Sequence, residues 1–256
     1  MLRKALFLVV IFMFVLSSSA MAIVTTWGYT IESQFINSSY SGSFFSSTPT
    51  ELIWGAGADS SSLVIDTPTV TGDVDTYVGG LPPSTYWADS TSLTHNNFVI
   101  TGTSLLSTVL RSTVTLDPFI PDNPALPPQV FDFEIKFIET PNVGSFQNDV
   151  FAVLSGFPNF NFNYDAGDGD GDVPYFVNLF PSDGTVLSLL TGEYADLVNV
   201  PEGTLGFTTE ENQSTTLPFA FTISTQEINP IPEPSTLLLL GGGLLGLGFY
   251  ARRKNK

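Results

Sequence analysis

Between residues 23 and 230 apolar and polar positions alternate in run after run, and helical spacing is almost missing. The clearest stretch is Val130-Phe131-Asp132-Phe133-Glu134-Ile135-Lys136-Phe137. Here Phe131, Phe133, Ile135 and Phe137 fall on one face, and Asp132, Glu134 and Lys136 on the other. One face packs while the other meets water, as in a half-buried antiparallel strand. Similar runs at 62–66, 97–101, 107–116, 149–154, 175–179, 206–209 and 218–224 are separated by clusters of Gly, Pro, Asn and Asp. The pattern predicts an all-β fold: one antiparallel β-sandwich over residues 23–224, of jelly-roll or immunoglobulin-like type. Pro118, Pro121, Pro124, Pro127 and Pro128 predict a rigid surface connection across 117–128, with no continuous strand.

The two ends break the pattern. Residues 1–22 carry Arg3 and Lys4, an apolar run from Ala5 to Leu16, and small residues at Ala20 and Ala22, so a signal peptide cleaved after Ala22 by signal peptidase is expected. Residues 225–235 read as a linker that holds Pro232-Glu233-Pro234, a stiff segment poor in backbone donors. Residues 236–251 form a 16-residue uncharged run interrupted by Gly241, Gly242, Gly243, Gly246 and Gly248. As a helix it spans about 24 Å, short of the roughly 30 Å of a bilayer core. Arg252, Arg253 and Lys254 in the basic tail 252–256 then stop transfer and stay cytoplasmic. This order of Pro-Glu-Pro, short hydrophobic helix and arginine end resembles the PEP-CTERM sorting signal of exported bacterial proteins. The resemblance implies recognition by an exosortase, transient residence in the inner membrane, and delivery to the cell surface, outer envelope or extracellular matrix.

Charge narrows the partners. Residues 23–231 hold 24 carboxylates against Arg111 and Lys136, a formal charge of −22. Such a body repels phosphate backbones and argues against nucleic acid. With 22 Phe and 43% hydrophobic residues it still has the material for a core. Cysteine is absent, which removes disulfides, thiolate zinc sites and cysteine nucleophiles.

Candidate chemistry is sparse. The sole histidine, His95, lies in Thr94-His95-Asn96-Asn97, and no Gly-x-Ser-x-Gly elbow accompanies it. It is expected to close a local hydrogen-bond network. The segment resembles the Thr-His-x-Asn signature of a PEP-CTERM subfamily, with Thr94, His95 and Asn97 as its signature residues. Further stretches similar to that subfamily are Ile138-Glu139-Thr140-Pro141-Asn142, Asn148-Asp149-Val150-Phe151 and Gly206-Phe207-Thr208-Thr209-Glu210. The resemblance supplies a place and a domain type and implies no reaction.

Asp165, Asp168, Asp170 and Asp172 alternate with glycine and offer hard oxygens to calcium, although an EF-hand begun at Asp168 meets Val173 and Leu179 where it needs Gly and Glu. A solvated hairpin tip between 160–164 and 175–179 is the preferred reading. Asp132 and Glu134 lie roughly 6 to 7 Å apart on one strand face, but Lys136 continues that face, so ordinary charge pairing is expected over glycosidase chemistry. No cofactor is required and no enzymatic activity is expected. Trp54 and Trp87 are the candidate stacking surfaces for sugar rings, with exopolysaccharide as the ligand, although core packing is the preferred reading of such large aromatics. The leading expectation is an exported structural or adhesive protein, the second a carbohydrate-binding module, and the third a glycan hydrolase.

Overall fold

The computed structural model describes residues 23–228 except 57–58, 123, 141–147, 155–158, 167–170 and 184–185. The signal peptide with Ala20 and Ala22, the Pro232-Glu233-Pro234 motif, the hydrophobic run 236–251, and Arg252 and Arg253 therefore lie outside the described residues. Among the described residues no helix is long and apolar enough to cross a membrane.

The chain is all-β, as its alternation predicts. In order the strands are β1 (Thr26–Tyr40), β2 (Phe45–Ser47), β3 (Glu51–Trp54), β4 (Ser61–Ile65), β5 (Thr69–Tyr77), β6 (Ala88–Asn96) and β7 (Leu105–Ile120). They continue as β8 (Gln129–Ile138), β9 (Asn148–Val153), β10 (Phe160–Tyr164), β11 (Val173–Pro181), β12 (Ser188–Leu189), β13 (Leu205–Glu210) and β14 (Ser214–Ser224). A short helix, α1 (Gly192–Leu197), follows β12.

Hydrogen bonding divides the strands into two layers. One runs β12-β13-β9-β8-β7-β1-β5, the other β2-β3-β4-β6-β14-β11-β10. Pairing is antiparallel except at the seam, where β14 and β5 run parallel over Ile223↔Thr76 and Ser224↔Tyr77. The layers face each other across an aromatic core. Trp27 of β1 meets Phe162, Tyr164 and Tyr175 of β10 and β11 edge-on, with ring centroids 5.6, 5.3 and 5.2 Å away. Tyr29 meets Phe221 at 4.6 Å, and Phe131 meets Phe160 at 5.3 Å. Such contacts from one layer to the other define a sandwich.

Strand β8 inserts Phe131, Phe133, Ile135 and Phe137 and turns Asp132, Glu134 and Lys136 outward. Asp132 receives Arg111 in a two-pronged ion pair with both contacts at 2.7 Å, so charge pairing on that face is observed. The other runs give strands at or near their expected places, with two differences. The expected 97–101 strand is absent, since β6 covers Ala88–Asn96 and ends where the Asn97 N–H turns to the Gln213 carbonyl at 2.9 Å. β7 also continues past 116 through Pro118. Its pairing with β8 stops at Val114 while β1 remains alongside to Ile120. A proline with a ladder on one side only costs less than one inside a sheet.

The longest strand the alternation misses is β1, whose inward face reads Trp27, Tyr29, Ile31, Ser33 and Phe35. Ser33 breaks the apolar pattern, but its hydroxyl meets that of Ser112 at 2.9 Å in the interior. The α1 helix packs Ala195 against Val150, Ala152 and Leu190 in a second, smaller cluster. Both faces of β9 are consequently covered, one by α1 and one by the sandwich core.

Candidate functional site

Five strands end or begin at one end of the sandwich: β3 at Trp54, β6 at Asn96, β8 at Ile138, β9 at Asn148 and β13 at Glu210. Each places an aromatic ring inward near its end. Trp54 and His95 lie parallel, with centroids 5.7 Å apart at 7°. Phe137 contacts Trp54 at 5.1 Å and His95 at 5.6 Å. Phe151 contacts His95 at 4.7 Å and stacks on Phe207 at 4.6 Å.

A side chain two positions along a strand returns to the same face. The period therefore sets a polar layer against this aromatic one: Asn97 follows His95, Glu139 follows Phe137, Asp149 precedes Phe151, and Thr209 follows Phe207. Thr209 and Asp149 are direct cross-strand partners. The four stretches quoted for the Thr-His-x-Asn resemblance thus converge, although they are spread from Thr94 to Glu210 in the chain.

The polar layer is deeply buried except at Glu139, which is half-buried. Asn97 and Asp149 are 0% exposed, Thr209 1% and Thr140 2%. Asp149 Oδ1 accepts the Thr140 N–H at 2.9 Å, Glu139 Oε2 accepts the Trp54 indole N–H at 3.2 Å, and Asn97 Nδ2 donates to the Thr209 carbonyl at 3.1 Å. With both carboxyls ionised, Asp149 Oδ2, Glu139 Oε1 and Asn97 Oδ1 have no hydrogen-bond donor among the described residues, and the Thr209 hydroxyl has no partner there.

Burial pushes the Glu139 carboxyl up to about 8, with the Asp149 charge adding to it. Burial also raises Asp149, and the Thr140 N–H only partly offsets this. The charge of Glu211 raises both. Two carboxyl groups that face each other with Glu139 as donor share a proton near neutrality. Among the described residues no basic side chain supplies a counter-charge: Arg111 is paired with Asp132, and the Lys136 ammonium reaches the Asn199 carbonyl at 3.4 Å. Among the described residues no three His, Cys, Asp or Glu side chains are drawn together as a ready metal cage.

The signature residues take different roles. Thr94 faces the other side of β6, where its hydroxyl donates to Asp66 Oδ2 at 2.8 Å and lies 2.7 Å from the Thr216 hydroxyl. His95 does not close the expected hydrogen-bond network, because it is 0% exposed among aromatic rings and neither ring nitrogen has a partner. Burial depresses its pKa to about 3, so the ring is neutral and packs as an aromatic. Trp54 is likewise 0% exposed, so it cannot present a face to a sugar; its indole serves Glu139 and His95 instead.

Trp87 is 41% exposed and stands edge-on to Phe180 at 4.8 Å. The two rings border a pocket of about 330 Å³ together with Leu81, Asn178 and Ile228. Asn178 is buried there, and its Nδ2 lacks an acceptor. Asn159 clamps the backbone of Ile228 on both sides, donating to its carbonyl at 2.9 Å and accepting its N–H at 2.8 Å. The outgoing chain is thereby held beside Trp87, four residues before Pro232.

Strands β10 and β11 pair from Phe160↔Val177 to Tyr164↔Val173, so the acidic run caps a hairpin. Asp165 and Asp172 are exposed at its base, while Asp168 and Asp170 lie outside the described residues.

The sequence drew attention to His95 and Trp54 but missed Glu139, Asp149, Thr209 and Asn178 as site residues. The alternation held a usable signal for the first three, since each carries the inward register one step beyond an aromatic.

Fold and surface together define an acidic all-β protein with a closed aromatic core. Residues 230–254 match the family model described as the PEP-CTERM protein-sorting motif. The chain therefore carries a PEP-CTERM signal, which indicates an exported, cell-surface-directed protein processed by an exosortase. No curated protein matches the chain.

Proposed function

We propose that the chain is a structural or adhesive component of the bacterial envelope or extracellular matrix, without enzymatic activity. The observation that carries this reading is the union of a surface-directing tail with a sandwich body of 24 carboxylates and two bases. Such a body stays dispersed by mutual repulsion until divalent cations screen it or bridge it to acidic polysaccharide. On this reading signal peptidase removes 1–22, the tail holds the chain briefly in the inner membrane, and an exosortase then acts near Pro232-Glu233-Pro234.

Intact-mass analysis of the surface protein tests the delivery step. Loss of Arg252 and Arg253 is expected, and their retention would restore a permanent anchor. Cell–cell adhesion and matrix yield in a deletion strain test the role. Full recovery by the wild-type gene, and none by a version with Pro232, Glu233 and Pro234 replaced by Ala, is the expected result.

A second reading, a carbohydrate-binding module, is favoured by the Trp87 pocket, where an exposed indole borders a buried amide donor at Asn178. An aromatic face beside an unused polar group is a common way to hold a sugar ring. Saturable binding to exopolysaccharide that is lost in Trp87→Ala and kept in Trp54→Phe would move this reading to first place.

A further inference from the structure

The polar layer above His95 poses a physical problem. Asp149 and Glu139 present facing carboxyl oxygens, and Asn97 Oδ1 is a third buried acceptor without a donor. Asn97 is fixed with its amide nitrogen on the Thr209 carbonyl, and the Thr209 side chain lies directly across from Asp149. Buried acceptors gathered in one layer are costly unless something positive answers them. A shared proton serves the two carboxyls alone and leaves Asn97 unanswered. A cation serves all of them.

We propose that this layer is a divalent-cation site, held by the Asp149 and Glu139 carboxylates with the Asn97 Oδ1 and Thr209 hydroxyl oxygens, and that calcium is the ion its donors fit. The set offers hard oxygens, with no sulfur and no cationic neighbour, as calcium prefers. Two carboxylate ligands with neutral oxygens, beside the charge of Glu211, correspond to the weak extracellular class, with dissociation constants of about 10⁻⁴ to 10⁻³ M. An exported protein meets such concentrations outside the cell. The site is distinct from the Asp165–Asp172 hairpin tip, which lies on β10 and β11.

Terbium luminescence gives the direct test, because the Trp54 indole donates to Glu139, a ligand in the proposed site. The full-length chain, purified in mild detergent, is titrated with terbium under tryptophan excitation and then with calcium as competitor. Sensitised emission is expected in the wild type, removed by calcium and reduced at least several-fold in Trp54→Phe. Asp168→Asn combined with Asp170→Asn should leave it intact. Emission that survives Trp54→Phe but disappears in the loop variant would place the ion at the hairpin tip and overturn the proposal.

Thermal unfolding supplies the second readout. Five millimolar calcium against EDTA at pH 7.5 should raise Tm by about 4 °C in the wild type, from a roughly tenfold ligand excess over Kd. Asp149→Asn should not respond. A wild type indifferent to calcium in both measurements leaves a proton-sharing carboxyl pair and refutes the site.

Discussion

The chain contains one histidine, so its protonation can be followed without ambiguity. His95 is 0% exposed and titrates at about 3, against an ordinary 6.5, because burial among Trp54, Phe137 and Phe151 penalises the imidazolium. A group whose folded pKa is depressed loses stability as pH falls, since the unfolded chain takes up a proton that the folded chain refuses. The loss begins near pH 6.5 and is complete near pH 3. At pH 5, about 1.5 units into that window, it amounts to roughly 2 kcal/mol, and the full window amounts to roughly 5 kcal/mol. Other groups titrate over the same range, so the comparison is with His95→Phe, whose packing change is independent of pH. Guanidinium unfolding at pH 7.5 and pH 5 should show the wild type losing about 2 kcal/mol more than the variant. The histidine ring resonances should stay unshifted between pH 8 and pH 5 in the folded protein. Parallel stability profiles for wild type and variant, or a ring that titrates near 6.5, would refute the buried neutral histidine.

Three further outcomes follow from the geometry. The carboxyl pair has the opposite sign to His95: its raised pKa values give stability that is present below the ordinary carboxylate range and lost as pH rises towards 8. In EDTA the unfolding midpoint should therefore fall between pH 5 and pH 8, and Glu139→Gln should flatten that fall. Gly206→Ala drives a methyl into the Phe151 carbonyl and the Leu190 side chain, which should cost about 2–3 kcal/mol in urea unfolding, whereas Gly192→Ala meets nothing nearer than 3.8 Å and should be tolerated. Arg111→Ala breaks an ion pair whose side chains are 38% and 44% exposed, so its unfolding midpoint should match the wild type within error at moderate salt.

Much of the fold is legible in the alternation because one side of each layer is buried. Val130–Phe137 states its register in full, and β8 follows it. β1 was hidden by one polar inward position: Ser33 reads as solvent-facing until Ser112 of β7 is known to lie 2.9 Å away. Proline misled for a related reason. Pro118 forbids a strand paired on both sides but permits one paired on β1 alone, and only the topology tells the two apart. The parallel seam between β5 and β14 joins segments that no local pattern relates.

The site was harder to read because its residues follow the strand period while violating its polarity. Glu139, Asp149, Asn97 and Thr209 continue the inward faces of four strands, where a hydrophobic pattern predicts Leu or Val. Any one of them alone looks like the strand simply ending at a polar turn. Together they form a layer in which one partner's position decides another's meaning: Trp54, a candidate for sugar stacking, is inside, where Glu139 accepts its indole N–H. His95 packs as an aromatic because Phe137, Phe151 and Trp54 leave it no polar neighbour on its own level. A buried polar layer that survives at the end of an otherwise aromatic core carries a stability cost that replacement by apolar residues would remove. Its retention by this chain is explained if something positive occupies it, and the opposite pH slopes of His95 and the carboxyl pair allow a proton and a metal ion to be told apart. A proton alone fixes the optimum between the two titrations, whereas calcium moves it towards higher pH by holding both carboxylates charged.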